Sequence, residues 1–201
     1  AENTPGRDAW DGRKRLCLGV GKAMIKGKNV KISDRAVIYN PDNLIIGDNV
    51  RIDDFCVLSC GAGLKIGNNV HIAPYTAFFA GAGIVIDDFV GISAHCAFYS
   101  TSDDYTGHSL TNPTVPDKYK NVTKAPIHIG RHVLIGHAVT VMPGVTIGEG
   151  VSIGAHSFIT KDCVAWAIYA GCPAKIRALR SQMILQLEKQ YLEERDGRGR
   201  V

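Results

Sequence analysis

Large aliphatic or aromatic residues recur every six positions along most of this chain, and few folds accept that spacing. The ladder runs Ile32, Ile38; Ile46, Ile52, Leu58; Ile66, Ile72, Phe78; Ile86, Ile92, Phe98. It resumes as Ile129, Ile135, Val141; Ile147, Ile153, Ile159. A helix wants apolar residues at threes and fours and a half-buried strand wants them at twos, so six fits neither. It fits a solenoid whose coil has three short strands and three turns, each turn aiming one apolar side chain inward. Small or branched residues, such as Val50, Cys56, Val70, Thr76, Val90 and Cys96, usually sit two positions before a ladder residue. Burying each ladder side chain contributes about 1.5–3 kcal/mol, so the stack supplies a domain-sized core.

Coil length gives the organisation. Three central coils repeat every 20 residues, with matching inserts at Gly61-Ala62-Gly63 and Gly81-Ala82-Gly83. Phe98 is the third ladder residue of its coil and Ile129 the first of the next, so residues 99–126 are a longer insertion at the same corner. Glycines after ladder residues (Gly47, Gly67, Gly130, Gly136, Gly148) suit corners that need unusual dihedrals or close backbone approach. The expected fold is all-β, a β-helix over residues 26–170, with residues 1–25 capping the first coil and a C-terminal helical segment over 171–201. The spacing Ile176, Leu179, Met183, Leu187, Tyr191 predicts an amphipathic helix to about Glu194, begun after Pro173-Ala174-Lys175, with a frayed tail beyond.

Composition narrows the function classes. A hydrophobic content of 45% with balanced charge is that of a globular protein, and the net charge of +4 suits a small anionic ligand better than nucleic acid. No stretch nears the roughly 18 apolar residues of a membrane span. Ala1 to Arg15 lack the apolar core of a signal peptide. The six cysteines form no C-x-x-C pair, which argues against a zinc cluster or disulfide framework and for a cytoplasmic setting.

The ladder, with the closing segment Thr160-Lys161-Asp162 through Gly171-Cys172-Pro173-Ala174-Lys175, resembles the hexapeptide-repeat acyltransferases over nearly all of residues 26–180. The branches it most resembles are the galactoside and maltose O-acetyltransferases and the acyltransferases of nucleotide-linked amino-dideoxy sugars. The insertion motif Ser102-Asp103-Asp104-Tyr105-Thr106-Gly107, followed by Leu110-Thr111-Asn112-Pro113, is most similar to the second. The resemblance implies a left-handed helix, a homotrimer with sites in clefts between subunits, acetyl-CoA as co-substrate, no metal, and a role in surface polysaccharide (lipopolysaccharide) synthesis. It places the coenzyme along His137, Ala155, Thr160, Lys161 and Lys175, with Arg177 or Arg180 at the last basic site. Lys and Arg are the residues that coenzyme A phosphates want.

Acyl transfer from a thioester needs a nucleophile, a base for its proton and donors for the oxyanion. The resemblance places the base of the O-acetyltransferases, a histidine, at Asp103 in this chain. The candidates within reach are Asp103, Asp104, His108 and His95. An amine acceptor lowers the demand on the base, and an acidic residue then orients the amino sugar; an amine is favoured over a hydroxyl. Tyr75, Phe79, Tyr99 and Tyr105 are expected around the insertion corner, where they could stack on a sugar or a nucleotide base.

Two rivals come from other classes. γ-Class carbonic anhydrases share this solenoid and use histidines five apart, as His132 and His137 are. There the first of the pair follows a ladder residue by two, whereas here the second does. A non-catalytic scaffold seldom carries so long a loop. Dinucleotide binding at Gly19-Val20-Gly21 lacks the third glycine and a βαβ unit.

Overall fold

A computed structural model describes residues 24–195 and 197 of the 201-residue chain. The expected cap over residues 1–25 and the frayed tail lie almost wholly outside these residues. The six-residue ladder closes a three-sided prism. Its first face stacks strands Ile25–Lys26, Leu44–Ile46, Leu64–Ile66, Ile84–Ile86, Ile127–Ile129 and Thr146–Ile147. The second face runs from Lys31–Ile32 through Arg51–Ile52, His71–Ile72, Gly91–Ile92, Leu134–Ile135 and Ser152–Ile153 to Ala167–Ala170. The third holds Val37–Tyr39, Val57–Ser59, Ala77–Phe79, Ala97–Tyr99, Thr140–Val141 and Phe158–Ile159. Within the faces these strands pair in parallel, each with the coil above and below. Leu44 pairs Leu64 and Leu64 pairs Ile84, the 20-residue coil of the sequence, and Ile84 pairs Ile127 directly across the insertion.

Ladder residues from Ile46 to Ile159 are buried, while Ile32 and Ile38 in the first coil are partly covered. The residues two places earlier are buried too, Cys56 and Cys96 among them. Phe78 and Phe98, the largest members, stack with ring centroids 4.6 Å apart and planes 5° off parallel.

The corners divide their work between residue types. Glycine after every first-face strand but Ile84–Ile86, which Asp87 follows, serves close approach: a Cβ on Gly47 or Gly67 would sit 2.8 or 2.7 Å from backbone of the next coil. The left-handed dihedral falls elsewhere. At the first corner it is held by Asn29, Asn49, Asn69, Phe89 and His132, and at the second by Phe55, Tyr75, His95, Ala138 and His156. Asparagine tolerates that region, whereas bulky residues pay for it in strain, which stacking along the corner offsets.

Two segments depart from the prism. The insertion leaves after Ser100 and returns at Ala125, with Thr101–Ser102 paired antiparallel to Thr123–Lys124 at its base. The C-terminal segment corrects the sequence expectation. Lys175–Leu179 forms a strand antiparallel to Ala167–Ala170, and the helix, α1, spans only Met183–Arg195. Ile176 and Leu179 match helical spacing, but the last coil offers an unpaired strand edge whose backbone groups are satisfied by adding a strand.

Candidate functional site

The second corner carries a column of rings that rises with the coils. Phe55 stacks on Tyr75 at 5.0 Å and Tyr75 on His95 at 4.8 Å. His95 then meets His137 at 5.1 Å, and His137 meets His156 at 5.4 Å, both nearly edge-on. The column arises because one corner position recurs with the coil at Phe55, Tyr75, His95 and His156; in the coil between the last two that position is Ala138, and its neighbour His137 supplies the ring.

At its upper end the expected coenzyme residues partly converge. Ala155 immediately precedes His156; Ala170, whose Cβ lies 3.1 Å from where a Cβ on Gly154 would sit, pairs Lys175, and Arg177 Nε donates to the Ala170 carbonyl at 3.2 Å. Small residues thus lie next to two cations at this end of the column. Thr160 and Lys161 lie apart, exposed after the last third-face strand. Arg180 faces the other way. Its Nη1 donates to the carbonyls of His132 and Gly150 at 2.8 and 2.9 Å, so the guanidinium clamps the first corner.

The insertion gathers the acid and base candidates. Asp103 Oδ2 accepts the Asn112 backbone N–H at 3.2 Å. Asp104 accepts the Thr106 backbone N–H at 2.8 Å, the Thr106 hydroxyl at 2.6 Å and the Ser109 hydroxyl at 3.0 Å. These bonds, the Thr106 hydroxyl first, hold its carboxyl below the usual aspartate range. His108 Nδ1 lies 2.6 Å from the same Thr106 hydroxyl. His95 stands apart from this group, in the ring column at the opposite end of strand Ala97–Tyr99.

The four aromatic candidates do not form one cluster. Phe79 and Tyr99 stack at 5.0 Å on the third face beside the insertion, Tyr75 belongs to the second-corner column, and Tyr105 is 90% exposed. Side chains that start on the same coil are separated by the width of a face. Cysteine chemistry is not available in the core, where burial pushes the Cys60 thiol up to about 12 and that of Cys163 to about 11. Among the described residues no three His, Cys, Asp or Glu side chains converge as a metal site.

Helix α1 docks on the first corner through charge. Glu188 contacts both Arg131 and His132, the latter at 2.8 Å, and Tyr191 meets the edge of Phe89 at 6.1 Å. Burial, with Arg131 beside it, lowers the His132 pKa despite the carboxylates of Asp88 and Glu188 and the nearby Glu149, so a neutral ring donates Nε2–H to Glu188. Arg180 adds a further cation against this ring. The unfolded chain takes a proton near pH 6.5 that the folded chain resists. Stability therefore falls as pH drops through that value, and more steeply in the wild type than in His132→Gln. Denaturant melts between about pH 7.5 and 5 should diverge accordingly; equal slopes would remove His132 from the pH response. An open groove of about 750 Å³ lies between α1 and the second face, but its Arg51 and His71 are both bound to Asp53.

Comparison with known proteins bears on the whole prism. The bacterial transferase hexapeptide (six repeats) family matches residues 126–161. An N-acyltransferase from Bacillus cereus, AntD, solved with dTDP and 3-hydroxybutyryl-CoA, is 42% identical with a TM-score of 0.84, the match covering 87% of this chain and 93% of that one. This chain belongs to the hexapeptide-repeat acyltransferase family. As a member of that family it winds as a left-handed β-helix. A dTDP-4-amino-4,6-dideoxy-D-glucose acyltransferase of Escherichia coli is 43% identical over 93 residues, 46% of this chain and 48% of that protein. The hexapeptide-repeat chain thus spans about half the length of this curated relative. A hexapeptide-repeat acetyltransferase of Vibrio cholerae, solved with acetyl coenzyme A, shares the fold at 22% identity and a TM-score of 0.58, over 80% of this chain and 73% of that one.

Sequence reading of this acyltransferase fold missed three side chains. Phe55 and His156 extend the ring column, and the 20-residue spacing of Phe55, Tyr75 and His95 was the available signal. Thr106, which joins Asp104 to His108, gave none.

Proposed function

We propose that this chain transfers an acyl group from acyl-coenzyme A to the amino group of a thymidine-diphosphate-linked amino-dideoxy sugar. The observation that carries the reading is the 42% identity to AntD over nearly the whole prism, AntD having been solved with dTDP and an acyl-CoA. Site chemistry agrees: the ledge at Ala155, Lys175 and Arg177 suits the donor, and the insertion brings carboxylates and an imidazole together for the acceptor. Variants of AntD replace a serine and an aspartate ten residues apart. Ser93 and Asp103 have that spacing here and flank the strand Ala97–Tyr99, which supports Asp103 as the carboxylate that orients the amine. Ser152 and Asp162 share the spacing but lie far from the insertion in the sequence.

In this reading the amine attacks the thioester carbonyl, His108 receives its proton, and Asp103 holds the acceptor nitrogen in line. The exposed outer faces and the half-built donor ledge fit a homotrimer with sites between subunits. The setting is cytoplasmic, where nucleotide sugars and coenzyme A meet, and the product feeds surface polysaccharide. No helix of the described residues is long and apolar enough to cross a membrane.

Thiol release from acetyl-CoA tests the assignment. Turnover is expected with dTDP-4-amino-4,6-dideoxyglucose and not with a free galactoside. Release with the galactoside alone would move the activity to a hydroxyl acceptor, and silence with every sugar would end the reading.

A further inference from the structure

The hydrogen-bond directions in the insertion can be worked out from proton counts. Asp104 carries no proton, because each bond it makes is one it accepts, from the Thr106 N–H, the Thr106 hydroxyl and the Ser109 hydroxyl. Thr106 has a single hydroxyl proton, and at 2.6 Å from Asp104 Oδ1 it is donated there. Towards His108 the same oxygen can only accept. Its contact with Nδ1, also 2.6 Å, therefore requires the proton to sit on Nδ1. In the neutral ring the other nitrogen, Nε2, is left with a lone pair on an exposed side chain.

We propose that Thr106 is a positioning residue: held by Asp104, its hydroxyl fixes His108 as the Nδ1–H tautomer and leaves Nε2 to take the proton of the attacking amine. This rests on the acyl-transfer reading above. Asp104 also stabilises, through the hydroxyl, the imidazolium that forms, a task a carboxylate performs directly in other carboxylate–histidine pairs. The step balances. The amine nitrogen bonds to the thioester carbonyl carbon, its proton passes to Nε2, the carbon–sulfur bond breaks, and the departing coenzyme A thiolate takes that proton back. Residues Asp103 and Asp104 thereby divide their roles, one facing the acceptor and the other the base.

Thr106→Val, nearly isosteric, removes the link, and Thr106→Ser keeps it. Two measurements on the full chain are needed. Nitrogen–proton correlation spectra at about pH 8, above the ordinary histidine range, should find His108 protonated on Nδ1 in the wild type and in Thr106→Ser. In Thr106→Val the proton should move to Nε2. With the amino-sugar acceptor and acetyl-CoA, kcat of Thr106→Val should fall about tenfold to a hundredfold, part of the ~10²–10⁴ that a general base supplies. Its KM for the coenzyme should not change, and Thr106→Ser should match the wild type. An Nε2–H ring in the wild type, or an active wild type whose Val variant is equally fast, would overturn the positioning role. A wild type that turns over no amino acceptor while His108 carries Nδ1–H would sink the acyl-transfer reading itself, and the catalytic use of Nε2 with it.

Discussion

Phe98→Ala costs the fold about 3–5 kcal/mol. The ring is fully buried, stacks 4.6 Å from Phe78 and fills the prism where the third face turns into the insertion. Close-packed coils cannot collapse around the hole, because each strand is held in register by hydrogen bonds above and below. A solenoid passes stability from coil to coil, so the damage reaches both neighbours. Each kcal/mol lowers the melting temperature by about 2–4 °C in a chain of this length, so a drop of at least several degrees is expected. Phe79→Ala, one residue along but outward-facing, serves as control and should cost far less. Equal melting temperatures for Phe98→Ala and the wild type would mean that the ladder does not carry the core.

His108→Ala should lower kcat/KM for the amino acceptor by about 10²–10⁴ while leaving the melting temperature unchanged. The side chain is exposed and hydrogen-bonds Thr106, so its removal leaves no buried cavity. Asp103→Asn should act differently. It keeps the shape and the acceptor oxygen for Asn112 but loses the charge that accepts from and orients the acceptor amine, so KM for the sugar rises more than kcat falls. His95→Ala separates the two regions, since it interrupts the ring column and leaves the loop whole. Full activity in both His108→Ala and Asp103→Asn would take the insertion out of the chemistry.

Much of this architecture is legible in the chain because burial in a prism is periodic. Every turn must send one large side chain inward, so Ile46 through Ile159 announce the coils, and the interruption at residues 99–126 announces its own corner. The same logic, applied to outward positions, would have found Phe55, Tyr75 and His95 as one column. Where no repeat exists, inference weakens. The segment Lys175–Leu179 has apolar residues at helical spacing, yet an open strand edge on the last coil takes it as a strand. Arg180 reads as one more cation near a phosphate site, and only packing turns it onto the carbonyls of the first corner.

The six-residue ladder alone determined the prism, its coil length and the corner from which the insertion leaves, because inward side chains in a solenoid obey a rule written in sequence distance. Tertiary structure decided which residues meet across coils and within the insertion: the ring column, the Glu188 anchor of α1 and the Asp104–Thr106–His108 chain. Those contacts depend on the direction of individual side chains in space, and a hydroxyl two residues from a carboxylate carries no mark of the bond it will make.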